Sequence, residues 1–254
     1  MKSDLDRLMQ ARGFDAIIVM GESEGNHALR YLTNSAKITH GILVKKRGEQ
    51  PVLICNAMER DEAARSGLSV VTQDDFHYAQ LIQETGSVFE ATRRLIAAVL
   101  EHYGVSGTVS FYGVGDPGRS YILLHELDEK MPSVNVTGEA ETSLFDEAYL
   151  TKDASELSLL KSVAERTNAV VVETVEFIRQ HAVQGDRLVG PDSEPLMIRD
   201  VKRFLRGSLL QHGLDDAGET IFAIGRDAGV PHSRGVADDA LELGRSIVFD
   251  LFPR

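Results

Sequence analysis

The chain has 254 residues, 43% of them hydrophobic, and carries 27 Lys and Arg against 39 Asp and Glu for a formal net charge of −12. This is enough apolar material for one large domain or two ordinary ones, and the acidic balance repels phosphate backbones and anionic lipid surfaces. Neither nucleic acid nor a membrane is therefore expected as a partner. The single cysteine, Cys55, excludes an internal disulfide and a multi-thiolate metal site.

No apolar stretch approaches the roughly 20 residues of a membrane span. The opening Met1-Lys2-Ser3-Asp4-Leu5-Asp6 places acids where a signal peptide would be apolar, so the protein is expected in the cytoplasm. Residues 3 to 12 have a helical pattern with Leu5, Leu8 and Met9 on one face. Ala16-Ile17-Ile18-Val19-Met20 is a short continuous apolar run ending at Gly21, the sign of a strand covered on both faces. Gly41 to Val44 and Val52 to Ile54 flank a polar, Gly-bearing turn and predict a hairpin. Cys55 ends that second apolar run and is expected to be a buried, inert thiol. Helix over 57–66, strand over 68–71, a long helix over 86–103, strand over 108–112 and helix over about 117–130 follow. Val134-Asn135-Val136 and an acidic stretch from Glu139 to Glu147 then close a mixed α/β domain, expected to span residues 1–150.

From 151 onward the texture changes. Asp153-Ala154-Ser155-Glu156 has the outline of a capping box and opens a long helix, with Leu157, Leu160, Ala164, Val171, Val175 and Ile178 at three- and four-residue intervals and Gly185 as its end. A second helix is predicted over roughly 194 to 211, with Pro195 in its first turn and Gly213 as its stop. Strands follow at 220–224 and 246–252.

Gly113-Val114-Gly115-Asp116-Pro117-Gly118 matches G-x-G-x-x-G between a strand and a helix, the context of a dinucleotide loop. Asp116 and Pro117, however, place a negative charge and a missing N–H where pyrophosphate needs donors, so a plain glycine-rich connection is expected. Asp74-Asp75, Asp215-Asp216 and Asp238-Asp239 read as solvated turn or cap residues. Seven of the eight histidines show no metal-type spacing. His232 stands apart, because Gly225 to His232 is a glycine-punctuated loop directly after a strand. Asp250 stands apart too, as a carboxylate inside Ile247-Val248-Phe249-Asp250-Leu251-Phe252, where an acid expected to be buried in an apolar strand requires a cation, a metal or a cluster of donors.

The strand at 220–224, the loop carrying Pro231-His232, and Gly244-Arg245-Ser246 leading to Asp250 together resemble the pita-bread metallopeptidase family that contains prolidase (Xaa-Pro dipeptidase), aminopeptidase P, methionine aminopeptidase and creatinase. Tyr31-Leu32-Thr33-Asn34 resembles the Tyr-Leu-Thr-Gly segment of the family's N-terminal domain. Lys152 with Glu156 to Lys161 resembles the helix that opens its catalytic domain. Departures include Asn34 in place of Gly, and Leu251-Phe252-Pro253 in place of a Gly-containing continuation.

The resemblance implies an α/β (α+β) fold, with a creatinase/prolidase-like N-terminal domain at 1–150 followed at 151–254 by the first, C-terminally truncated part of a pita-bread domain. It further implies an Xaa-Pro peptidase acting on a proline-containing peptide substrate. Asp250 would be the first ligand of a site for two divalent metal ions (Mn, Co or Zn), and His232 a catalytic residue that contacts substrate or stabilises the tetrahedral intermediate. The remaining ligands of the family, a second Asp, a His and two Glu, would lie beyond Asp250. The chain alone is accordingly expected to be inactive and not to retain metal. A homodimer is implied, and a non-catalytic dimerisation or binding fragment and a creatinase-like C–N hydrolase are the alternatives.

Overall fold

The computed structural model describes Lys2, residues 4–216 and residues 220–253, so Ser3 of the expected first helix and the terminal Arg254 lie outside the described residues. The chain divides into two compact units, Met1–Asp153 and Ala154–Arg254.

The first unit runs α1 (Leu5–Ala11), β1 (Ala16–Glu22), α2 (His27–Leu32), β2 (His40–Lys46), β3 (Val52–Cys55), α3 (Arg60–Ala64), β4 (Ser69–Thr72), α4 (Tyr78–Thr85), α5 (Val88–His102), β5 (Gly107–Gly113), α6 (Pro117–Lys130), β6 (Val134–Thr137) and α7 (Leu144–Ala148). Its sheet has the order β4-β3-β2-β1-β5-β6. The strand β1 pairs antiparallel with β2 and parallel with β5, and the predicted hairpin is the antiparallel pair β2 and β3. The fold is mixed α/β, as the alternating periods in the sequence require.

The apolar run of β1 is covered on both sides. Ile17 and Val19 join one core cluster with Leu5, Leu8, Leu29, Leu32 and Phe145, while Ala16 and Ile18 join the other with Leu95, Val99, Leu123 and Leu127. Each side chain removed from water in this way contributes on the order of 1.5–3 kcal/mol before chain entropy is counted. Cys55 is fully buried, and burial raises its thiol pKa, so it is the inert thiol expected.

Polar cross-links tie the layers together. Arg12, following α1, donates to Glu139 Oε1 at 2.5 Å and to Glu147 Oε1 at 2.9 Å. Tyr112 of β5 and the backbone N–H of Leu144 both donate to Glu139 Oε2. Burial, and then the Glu139 bond, raises the Tyr112 hydroxyl well above its usual value. The acidic stretch of the sequence is therefore a docking surface for Arg12, and α7 within it is capped by Ser143 through Asp146. Two other helices escaped the sequence pattern. In α2 the stabilising device is Asn26, whose side chain accepts from Leu29 N, and α4 has no buried residue to produce a stripe.

The second unit comprises α8 (Ala154–Arg179), β7 (Ala182–Gln184), β8 (Arg187–Val189), α9 (Ile198–Gln211), β9 (Ile221–Ile224) and β10 (Ile247–Asp250). Two expectations are corrected here. The long helix stops at Arg179, and Gly185 (φ 63°) sits instead in the two-residue turn between β7 and β8. Pro195 lies before α9, bridged to Val189, because Leu196 donates its N–H to Leu188 across that bridge and delays the helix until Ile198. Gly213 (φ 65°) ends α9 as expected, with Leu214 N donating back to Leu209 O. Among the described residues no helix is long and apolar enough to cross a membrane.

The most strongly shifted carboxyl with a clear cause is Glu90, at the start of α5. Arg93 and Arg94 donate to it and hold its pKa down at about 2. A carboxyl depressed in the folded state stabilises it above the unfolded value near 4.5, and that contribution disappears as pH falls from about 4.5 to 2. In acid-induced unfolding followed by circular dichroism, Glu90→Gln is predicted to be less stable than the parent at pH 7, with the gap closing across this window. A gap that stays constant down to pH 2 contradicts the assignment.

Candidate functional site

The two residues singled out by the sequence belong to one ribbon and its loop. β9 and β10 pair antiparallel, with Ile247 opposite Ile224 and Asp250 opposite Ile221. Phe222, Ala223 and Ile224 are buried, and Phe222 meets Phe249 edge-on with centroids 5.4 Å apart. That contact belongs to a cluster with Leu196, Ile198, Val201 and Leu241, while Leu251 and Phe249 also pack on Val170, Leu205, Leu209 and Leu214. Side chains alternate across a strand, so Phe249 faces the helices and Asp250 takes the opposite side with Val248.

Asp250 is exposed, as are Ile247 and Val248, each at 40%. The expectation of a carboxylate buried in an apolar strand is corrected: β10 has β9 as its strand neighbour and is packed on one side. Half of its apolar run is wet, and an acid on that side needs no partner to offset desolvation.

His232 lies in the 225–246 connection. Gly225 (φ 62°) turns the chain out of β9, a short 3₁₀ turn covers Asp227–Gly229, and Ser233 Oγ lies 3.3 Å from Asp227 Oδ2. The loop then doubles back on its own strand. A Cβ on Gly235 (φ 81°) would collide with the carbonyl oxygen of Phe222, so only glycine allows this approach. Lys202 of α9 donates to Arg234 O, Arg199 pairs with Asp238, and Arg199 N donates to Ala237 O at 3.0 Å. Within this anchored loop lies a feature the sequence could not show: His232 is held at φ 63° with its side chain exposed. A left-handed non-glycine residue costs on the order of 1 kcal/mol and persists where its surroundings over-determine it.

The structure thus sets Asp250 at the end of the ribbon away from the loop's attachment, and no hydrogen bond or ion pair joins it to His232. Among the described residues, no group of three or more His, Cys, Asp or Glu is arranged to hold a metal ion. Asp250 offers a hard oxygen donor suited to Mn, Co or Zn, but one carboxylate does not fit two ions that each need several donors, so no catalytic step through a metal is derived for this chain.

The sequence model of the Creatinase/Prolidase N-terminal domain matches residues 2–142, more than half of the chain. The chain belongs to the creatinase/prolidase family. Solved structures agree on the fold of the whole chain. The X-Pro aminopeptidase of Thermotoga maritima superposes with a TM-score of 0.65 at 16% identity, covering 99% of this chain and 60% of that protein. The prolidase of Pyrococcus furiosus gives 0.62 at 17%, covering 99% and 65%. The N-terminal domain of the FACT complex subunit SPT16 from Cicer arietinum gives 0.58 at 15%, covering 100% and 63%. This creatinase/prolidase family chain therefore spans 60–65% of the length of these three solved chains. No curated protein sequence matches it significantly.

Replacing His232 by glycine removes the left-handed penalty without touching the core. His232→Gly is predicted to leave stability to urea unchanged or to raise it by up to about 1 kcal/mol, whereas Gly235→Ala lowers it by more than that. A substantial loss in His232→Gly contradicts the strained-loop account.

Proposed function

We propose that this chain is part of a proline-directed metallopeptidase of the prolidase or aminopeptidase P type, which hydrolyses the bond preceding proline. In this reading Asp250 is the first metal ligand and His232 contacts the peptide substrate. The observation that supports it best is the coincidence of motif and fold. The Pro231-His232 loop and the Asp250 strand belong to a unit that superposes, as part of the whole chain, on an X-Pro aminopeptidase and a prolidase. The strained His232 backbone adds to this, since such strain collects at functional sites. The metal would lower the pKa of a bound water and polarise the scissile carbonyl. Its other donors are not assembled by the described residues, so the 254-residue chain alone is inactive and retains no metal pair. We further place the protein in the cytoplasm as a homodimer.

A second reading, a non-catalytic association module, is favoured by the wet, single-donor setting of Asp250 and by a fold shared with a subunit of the FACT complex. Peptide binding discriminates, because both readings allow a dimer without metal and only the module ignores peptides.

Under the peptidase reading, titration of the pure chain with Ala-Pro shifts the His232 imidazole resonances saturably and Ala-Ala shifts them less, while added Mn²⁺ or Co²⁺ gives no turnover. Unmoved His232 resonances contradict the substrate-contact role. Robust hydrolysis of Ala-Pro by the chain overturns its inactivity.

A further inference from the structure

We propose that the crevice at the C-terminal ends of β1 and β5 is a binding site for a compact, uncharged, largely apolar molecule that presents one hydrogen-bond acceptor. The two strands are parallel neighbours in the sheet. The chain leaving β1 enters α2, whose Leu29 and Leu32 pack on one face of the sheet. The chain leaving β5 enters α6, whose Leu123 and Leu127 pack on the other. Connections that diverge in this way leave a gap between them, the topological switch point at which open α/β sheets bind ligands.

A cavity of about 210 Å³ lies there. Glycines at both strand ends let the two chains approach closely beside it. A Cβ on Gly113 (φ 147°) would collide with the carbonyl oxygen of Met20, and one on Gly21 (φ 114°) would come within 2.7 Å of Val114 O. Met20, Phe111, Leu123 and Leu124 supply its apolar wall, and the glycine-bearing backbone also lines it. Phe111 is only partly buried although it pairs with the fully buried Ile18 in the middle of the sheet.

Ser120 supplies the polar contact. Its hydroxyl lines the cavity, 3.3 Å from where a Cβ on Gly115 would stand, and has no hydrogen-bond partner among the described residues. The charge of the ligand is set by the rest of the glycine motif. Asp116 caps α6 by accepting from Arg119 N at 2.9 Å and leaves a carboxylate near the mouth, while Pro117 removes a donor from the first turn. Phosphate and carboxylate groups are repelled at such a site, and among the described residues no charged side chain lines the cavity to offset the desolvation of a cation, so a neutral molecule is the favoured ligand and a nucleotide is not.

Heteronuclear NMR of the full chain tests this with three probes of one shape, benzamide, benzoate and benzamidine. Benzamide is expected to shift the amide resonances of Gly113, Gly115 and Ser120 saturably. Benzoate is expected to bind about tenfold more weakly, as a like charge a few ångströms away in a half-wet site dictates. Ser120→Ala is expected to weaken benzamide about fivefold, the worth of one neutral hydrogen bond, with the thermal midpoint unchanged. The proposal is overturned if benzamide leaves these three resonances unmoved, if benzoate or benzamidine binds as tightly as benzamide, or if Ser120→Ala binds benzamide like the parent.

Discussion

β10 is packed on one side, and the alternation of its side chains assigns Phe249 and Leu251 to the helices and Asp250 to water. Much of the second unit's chemistry depends on that division. The aromatic contact between Phe222 and Phe249 fixes the ribbon, so Asp250 cannot turn inward without breaking the core. A solvated carboxylate is cheap to keep and binds a divalent ion weakly by itself. In the proposed peptidase reading it serves as a metal ligand only with other donors facing it across the open side of the ribbon.

The loop that carries His232 obeys the opposite logic. Its glycine, Gly235, lies against the carbonyl of Phe222, and Lys202, Arg199 and Ser233 tie the neighbouring backbone. A histidine held at positive φ on an anchored loop is pre-oriented before any ligand arrives, which lowers the ordering cost of recognition. In the proposed reading, the strained His232 on its anchored loop is the preformed substrate contact, and the exposed Asp250 is a single donor without a metal cage among the described residues.

Where local pattern decides structure, the sequence was readable. The doubly covered run Ala16 to Val19, the β2–β3 hairpin and the stripes of α5 and α6 all follow from period and turn chemistry. The pattern failed where partners are distant in sequence. Nothing near Glu139 announces that Arg12 and Tyr112 reach it, so an ordered docking surface read only as an acidic stretch. Pro195 read as a helix start because the bridge to Val189 that postpones α9 is a tertiary fact. The candidate residues were legible by type and by family resemblance, but their environments were not. Apolar neighbours in sequence suggested burial for Asp250, although burial depends on how many strands and helices flank β10. His232 gave no sign of its left-handed backbone, since a positive φ is uncommon at any residue other than glycine.

The central claim is that Asp250 stands in this chain as a single exposed donor and not as part of an assembled metal cage. Calorimetric titration with Mn²⁺ of the parent and of Asp250→Asn addresses it directly. The account predicts no saturable two-ion uptake and indistinguishable traces for the two proteins. Tight binding of two equivalents by the parent, abolished in Asp250→Asn, would contradict it.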